Sequence, residues 1–537
     1  MRPIEDVAAD LHLTPADLEL YGPYKAKLTP AAMLRLRDAS QGRLVLVTGI
    51  TPTTAGEGKT TTSIGLTQAL RRQDVAATVA LREPSIGPVM GIKGGGTGGG
   101  GSEVLPADEI NLHFTGDLHA VTTANNLLAA TIDNSMFHGN PHALDARRIS
   151  WRRCLDMNDR ALRQMVIGMG GTSDGIPREE RFDITPASEV MAILSVAGDL
   201  DDLNRRLGDV IVGYTRDIQP VFCRDLGVNV AMTVLLKQAM QPNLVQTSEG
   251  GPAFVHGGPF ANIALGCNSI VATRAALATS AVVVTEAGFG SDLGAEKFFN
   301  IASRIGGLRP QVAVIVATAR AIKRHGGMDA KELETENVAA LRKGLSNLDA
   351  HIDNVQRHGV SPVVALNRFP ADTDAEIAVI VGHCQERGVR VAEADPFGAG
   401  GAGCLALADA VRAALDAGPA TLRYLYDLEQ PLKEKIETVA REVYGAGSVV
   451  YLRQAELTLR RMKRLAMEEL PVCIAKTQYS LAADASLLGR PRGFEFQVRE
   501  VRPSAGAGFL VVIAGEIMTM PGLPKEPAAT RFRLGGE

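Results

Sequence analysis

The residues best suited to chemistry lie in one stretch, Thr51-Pro52-Thr53-Thr54-Ala55-Gly56-Glu57-Gly58-Lys59-Thr60-Thr61-Thr62. It follows the apolar run Arg43 to Thr48 and precedes a proline-free segment, Gly58 to Arg72, rich in Thr, Ala and Leu. A strand, a glycine-rich turn and a helix in that order form a seat for phosphate, because backbone N–H groups converge on an anion at a helix N-terminus. Lys59 is placed to neutralise phosphate charge, and Thr60 to offer a hydroxyl to Mg2+. The usual spacing, G-x-x-x-x-G-K-[ST], asks for glycine at position 53, where this chain has Thr53. The stretch therefore predicts a nucleotide and phosphate site made by Thr53, Thr54, Ala55, Gly56, Glu57, Gly58, Lys59 and Thr60. The plainer alternative is a glycine-rich turn with a surface lysine. Three threonines after Lys59 make the loop polar enough for a bare phosphoryl group, which suits an acyl phosphate as well as ATP.

Three further constellations follow. Arg82-Glu83 comes after the strand candidate Ala76 to Leu81, at the carboxyl edge where ligands of α/β sheets bind. Arg82 has the planar fork that grips a carboxylate or phosphate; an ordinary surface ion pair is the rival reading. The tract Gly91 to Gly101 holds so much glycine that a dinucleotide fingerprint means little there, and a mobile or close-packed loop fits better. Asp108 to His119 gathers Asp108, Glu109, Asp117, His113 and His119. Its spacing does not match a zinc site. A polar wall with an acid or base fits better, and a satisfied, buried histidine remains open.

Elements that alternate between short apolar runs and helical stretches must hold these residues in place. Ala281 to Thr285, Val312 to Val316, Pro362 to Leu366 and Val389 to Ala392 read as strands, and Ala375 to Arg387 as a helix. Val166 to Met169 is a shorter apolar run, Leu432 to Leu465 reads as charged helix, and the segment from Phe494 as antiparallel strands. The fold class expected is α/β: a mostly parallel P-loop-type sheet flanked by helices, with additional smaller α/β domains. Expected boundaries place a nucleotide-binding domain at 1–120 plus about 270–345, an inserted α/β domain at about 121–270, and a C-terminal α/β domain at about 346–537.

Bulk properties exclude several classes. At 537 residues the chain is too long for one simple core. A formal net charge of -4 argues against a nucleic-acid backbone binder. The N-terminus, MRPIEDVAAD, has acids where a secretory signal would be basic. No apolar stretch approaches the length of a bilayer span. The six cysteines are scattered without a C-x-x-C pair, which fits a reducing cytoplasm.

Taken in order, TPTTAGEGKTTTSIGL, REPSIGPVMGIKGGGTGGG and INLHFTGDLHAVTTANNLLAA resemble formate–tetrahydrofolate ligase. So do EAGFGSDLGAEKFF, ALNRFPADTDAE, CIAKTQYSLAAD, GRPRGFEFQVREVRPSAGAGFLV and GEIMTMPGLPK, so that nearly the whole chain is covered. The resemblance implies ATP-dependent ligation of formate to tetrahydrofolate through formyl phosphate, giving 10-formyltetrahydrofolate, ADP and phosphate. It implies ATP with Mg2+, a monovalent cation (K+ or NH4+), tetrahydrofolate as co-substrate, and a homotetramer. By position, Lys59 and its loop match the family's ATP site, Arg82 its formate and formyl phosphate arginine, and Glu83 its monovalent-cation acid. Asp117 matches an acid on the folate side, and with His119 it is a candidate base. Phe289, Phe369 and Pro370 fall in the ring pocket. Phe397 stands where the family usually has tryptophan. The alternative, a P-loop ATPase of the partitioning or metallochaperone type, gives no reason for the motifs beyond residue 286.

Overall fold

The computed structural model describes residues 1–533 except 38, 40 and 41. At its centre, parallel strands β1 (Arg43–Gly49), β2 (Ala77–Leu81), β3 (Pro252–Val255), β4 (Val282–Glu286), β5 (Pro310–Ala317), β6 (Ser361–Asn367) and β7 (Arg390–Ala394) lie in the order β3-β2-β4-β1-β5-β6-β7. Antiparallel strands Asn243–Thr247, Ala26–Leu28 and Leu18–Leu20 extend the sheet beyond β3. The aliphatic runs predict strands covered on both faces, and the register bears this out. Val79, Val284, Val45 and Val312 line up across β2, β4, β1 and β5 in one buried layer. Leu44, Leu46, Val283 and Ala313 point into a second core on the other face.

Helices cover both faces. Helix α1 (Lys59–Arg72) leaves the end of β1 and buries Thr62 through Leu70. Helix α2 (Asp117–Phe137) and the pair α3 (Ala319–His325) and α4 (Val338–Arg357) complete the parts that matter for the site. Smaller sheets lie outside this layer. One joins Leu144–Ile149, Ile211–Thr215 and Pro220–Phe222. Another joins Ser448–Tyr451, Val472–Ala475, Glu495–Ser504 and Phe509–Ala514 over its own core. The α/β class expected from the sequence is the class observed. No helix among the described residues is long and apolar enough to cross a membrane.

Two elements differ from their sequence reading. The run at 166–169 forms Met165–Ile167, which among the described residues pairs only with Arg178–Glu180 and stays outside the large sheet. The span 432–465 is not one helix: Gly445, at φ 85°, ends the first helical part, and Ser448–Tyr451 with its β-branched Val449 and Val450 forms a strand before Arg453–Arg464. Because β1, β2, β4, β5 and β6 are parallel, their carboxyl ends share one edge, and every chemistry-bearing loop noted above except the 108–119 segment leaves from or beside that edge.

Candidate active site

Glycine at 58 is required by the backbone: it caps α1 in the left-handed region at φ 77°, and Gly56 before it has φ 76°. The carboxylate of Glu57 does not face outward to a phosphate. It is 1% exposed and accepts from Thr53 N at 2.7 Å and Thr53 Oγ1 at 2.8 Å, while its second oxygen accepts from Thr318 Oγ1 at the end of β5. Asn367, at the end of β6, donates to Glu57 O at 3.1 Å, and Arg320 donates to Gly56 O. The threonine that replaces the usual first glycine is thus the residue through which Glu57 shapes the loop. Thr54 and Ala55 at the tip are exposed.

Beyond the loop, Thr60 and Arg82 converge on Glu286 at the end of β4, and the charge of Lys59 acts on the same carboxylate. Thr60 Oγ1 donates to Glu286 Oε2 at 2.7 Å, and Arg82 Nη2 and Nε donate to Glu286 Oε1 at 3.2 and 3.3 Å. Burial raises the Glu286 pKa, but Arg82, the Thr60 hydroxyl and Lys59 outweigh it and hold the carboxyl below its ordinary value. Burial, aided by Arg82, lowers the pKa of Lys59 against the pull of Glu57 and Glu286. Lys93 is exposed, yet desolvation in the cleft, followed by repulsion from Arg82 and Lys59, draws its pKa down to about 8. Three cations, Lys59, Arg82 and Lys93, face two carboxylates, Glu286 and Glu57, an excess of positive charge suited to an anion. Lys93 and Glu286 were missed by the sequence reading. The glycine tract hid the first. Glu286 opens the quoted stretch EAGFGSDLGAEKFF and follows a predicted strand, but neither signal pointed to Arg82 or Thr60.

Arg82 and Glu83 do not pair with each other. Successive residues at a strand end point to opposite faces, so Arg82 meets Glu286 while Glu83 faces Asp117, Lys27 and Asp156. Glu83 is 4% exposed, its Oε2 has no hydrogen-bond partner among the described residues, and burial followed by Asp117 raises its pKa well above the ordinary value. Asp117 is in a buried ion pair: Lys27 Nζ lies 2.8 and 3.0 Å from its two oxygens, and Asn243 Nδ2 donates at 2.8 Å. The first turn of α2 places Asp117 inside and His119 at the surface, where His119 Nε2 meets Thr123 Oγ1 at 3.4 Å. Among the described residues no group of three or more His, Cys, Asp or Glu is arranged to hold a metal ion, so the metal reading of 108–119 gains no support.

The aromatic candidates divide. Phe289 follows β4 with φ 61°, a region that non-glycine residues rarely occupy. Its neighbour Gly288 lets Arg82 approach: a Cβ there would lie 3.1 Å from Arg82 Nη1. Phe369 stacks under the Arg320 guanidinium at 4.0 Å, which ties it to the Gly56 carbonyl, and Pro370 beside it is exposed. Phe397 is 64% exposed and packs on the glycine tract, where its carbonyl accepts from Gly101 N at 2.8 Å. Of the two readings of that tract, close packing is the one observed: a Cβ at Gly100 would fall 2.2 Å from the Phe397 carbonyl oxygen.

The model of the family described as formate–tetrahydrofolate ligase matches residues 1–537. A protein named formate–tetrahydrofolate ligase from Allorhizobium ampelinum is 56% identical over 531 residues, covering 99% of this chain and 96% of the relative. A match over every residue, a relative sharing more than half the sequence, and a cationic cleft at the carboxyl edge of a parallel sheet place this chain in the formate–tetrahydrofolate ligase family of ATP-dependent ligases.

Proposed function

We propose that the cleft ligates formate to tetrahydrofolate by way of formyl phosphate, with 10-formyltetrahydrofolate, ADP and phosphate as products. The observation that carries this reading is the gathering of Lys59, Arg82 and Lys93 around Glu286. In the first half-reaction a formate oxygen attacks the γ-phosphorus of ATP, and the bond from that phosphorus to ADP breaks. The protein must align the two groups, stabilise charge on the phosphoryl oxygens and exclude water. Lys59 and the loop N–H groups hold the nucleotide phosphates. Arg82, fixed by Glu286, keeps its remaining N–H groups for formate and the transferring phosphoryl group. Each positioned cation contributes ~3 kcal/mol on the scale of oxyanion donors in a dry site.

In the second half-reaction N10 of tetrahydrofolate attacks the formyl carbon, phosphate leaves with the bonding electrons, and N10 loses a proton. The Asp117 carboxylate is filled by Lys27 and Asn243, which supports a fixed charge beside Glu83 rather than a mobile base. His119, exposed in the first turn of α2, is then the candidate base. Phe289, Phe369, Pro370 and Phe397 are the candidates against which a flat ring would stack, and of these Phe397 has the open face. Mg2+ bound with the nucleotide would supply further positive charge, with Thr60 and Glu286 as the oxygen donors that would hold it. Glu83 Oε2, buried and unpartnered among the described residues, is the oxygen that would meet a monovalent cation, but Glu83, Asp117 and Asp156 are not arranged as a metal-holding group, Asp117 being filled by Lys27.

The test mixes the protein with ATP, Mg2+, K+, formate and tetrahydrofolate, then acidifies and reads methenyl-tetrahydrofolate absorbance. A signal that needs all three substrates is the expected result. ATP hydrolysis indifferent to formate and folate would overturn the reading in favour of an ATPase without folate chemistry.

A further inference from the structure

A cavity of about 810 Å³ lies between the 146–192 segment and the C-terminal sheet, and none of the residues assigned above to the phosphate cleft or ring pocket lines it. Arginines reach it from both sides. Most are answered: Arg152 by Asp183 at 3.0 Å, Arg153 and Arg178 by Glu180, and Arg502 by Glu500 at 2.6 Å. Two are not. Among the described residues the Arg181 guanidinium has no hydrogen-bond or ion-pair partner, its backbone N–H alone being engaged, by Glu180. Burial, then repulsion by Arg152 and Arg502, lowers its pKa against weaker attraction from Asp183 and Glu500. Arg461 lies 4.3 Å over the ring of Tyr214, and its Nε is buried without a partner. Two further acids line the wall: Glu179, which is exposed, and Glu189, which burial pushes up to about 7 against the N–H donors of Gly506 and Ala507, so that it is an incomplete counter-charge at neutral pH.

Arg181 is exposed, so its N–H groups are open to a ligand, whereas the buried, unpartnered Nε of Arg461 is an unfavourable arrangement unless something fills it. The fork of N–H donors matches carboxylate or phosphate two bonds at a time. The volume is that of a metabolite pocket, and Trp151, Tyr214 and Val511 supply apolar wall. We infer that this cavity is a second binding site, for an organic anion of metabolite size carrying at least two oxyanion groups, held by Arg181 and Arg461. The residues that line this cavity do not overlap those assigned to the cleft.

Isothermal titration of the full chain with citrate and, separately, with inorganic pyrophosphate tests this. The phosphate cleft is first saturated with a non-hydrolysable ATP analogue and Mg2+. The expected result is saturable binding of one probe at one site per chain, weakened about tenfold or more in the Arg181→Gln/Arg461→Gln double variant. Tighter citrate binding would identify a carboxylate ligand, and tighter pyrophosphate binding a phosphate ligand. Because Arg461 is part of a packed wall, the exposed Arg181→Gln single variant, with an unchanged melting temperature, must also weaken binding by about threefold or more. Absence of saturable binding by both probes, or equal binding by wild type and variants, overturns the inference.

Discussion

Replacing Gly58 by alanine probes the phosphate loop at its tightest point. The residue has φ 77°, where an L side chain costs roughly 1–2 kcal/mol. The new Cβ would lie 2.6 Å from Asn367 Nδ2, which donates to Glu57 O at 3.1 Å. Moving that amide aside forfeits the hydrogen bond, worth about 1 kcal/mol. The sum is roughly 2–3 kcal/mol, equivalent to a loss of about 30- to 150-fold in ATP affinity if the loop relaxes out of its binding shape. Titration calorimetry with ATP and Mg2+, together with thermal melts, should be run on Gly58→Ala, Asn367→Ala and the double variant. The double variant should cost less than the sum of the singles, because the clash is with an amide already removed, and what persists is the backbone penalty. ATP binding within about threefold of wild type in Gly58→Ala, or fully additive costs, would refute the reasoning.

Glu286→Gln should lower kcat by on the order of a hundredfold in steady-state kinetics, since Arg82 and Thr60 lose the charge that positions them; a change under about threefold would contradict this. Four buried histidines, His256, His325, His351 and His358, are each lowered to about 4, with burial as the first cause. Their folded pKa values lie below the unfolded one, so the unfolded chain binds more protons, and stability present above about pH 6.5 is lost as pH falls toward 4, by up to roughly 3 kcal/mol for each. Melting temperatures measured from pH 7.5 down to 4.5 should fall steeply, and a flat profile would count against this account. Phe397→Trp should lower the KM for tetrahydrofolate or nucleotide several-fold, on the scale of about 1 kcal/mol for added stacking area. An unchanged KM for both would show that this open ring face does not stack.

The central sheet was readable because its strands are buried on both faces and so appear as unbroken aliphatic runs, as in Val282 to Val284 and Val312 to Val316. The loop Thr53 to Thr60 and Arg82 stood out as candidates because phosphate chemistry restricts residue type and local spacing together. What could not be read was partnership across long separations. Glu286 lies more than two hundred residues from Thr60 and Arg82 in sequence, and nothing local marks it as their common acceptor. Asp117 carries the chemistry of a base, but its pairing with Lys27 depends on Ala26–Leu28 reaching the far edge of the sheet. Periodicity also misled where a turn interrupted it, as at Gly445, because charge and apolar spacing on either side both suited a helix.

The bracing of the phosphate loop by Glu57 has a practical consequence. Its shape is held by Thr53 within the loop, but also by Thr318, Arg320 and Asn367, which arrive on two other strands and their exits. The loop is therefore not a portable cassette. Grafting residues 51–62 onto another parallel sheet would carry the letters without the grammar that folds them, and a host would need all three remote residues to reproduce the loop's shape. The same dependence couples substitutions: a change at position 57 should show non-additive cost with changes at Thr318 or Asn367, some 260 to 310 residues away.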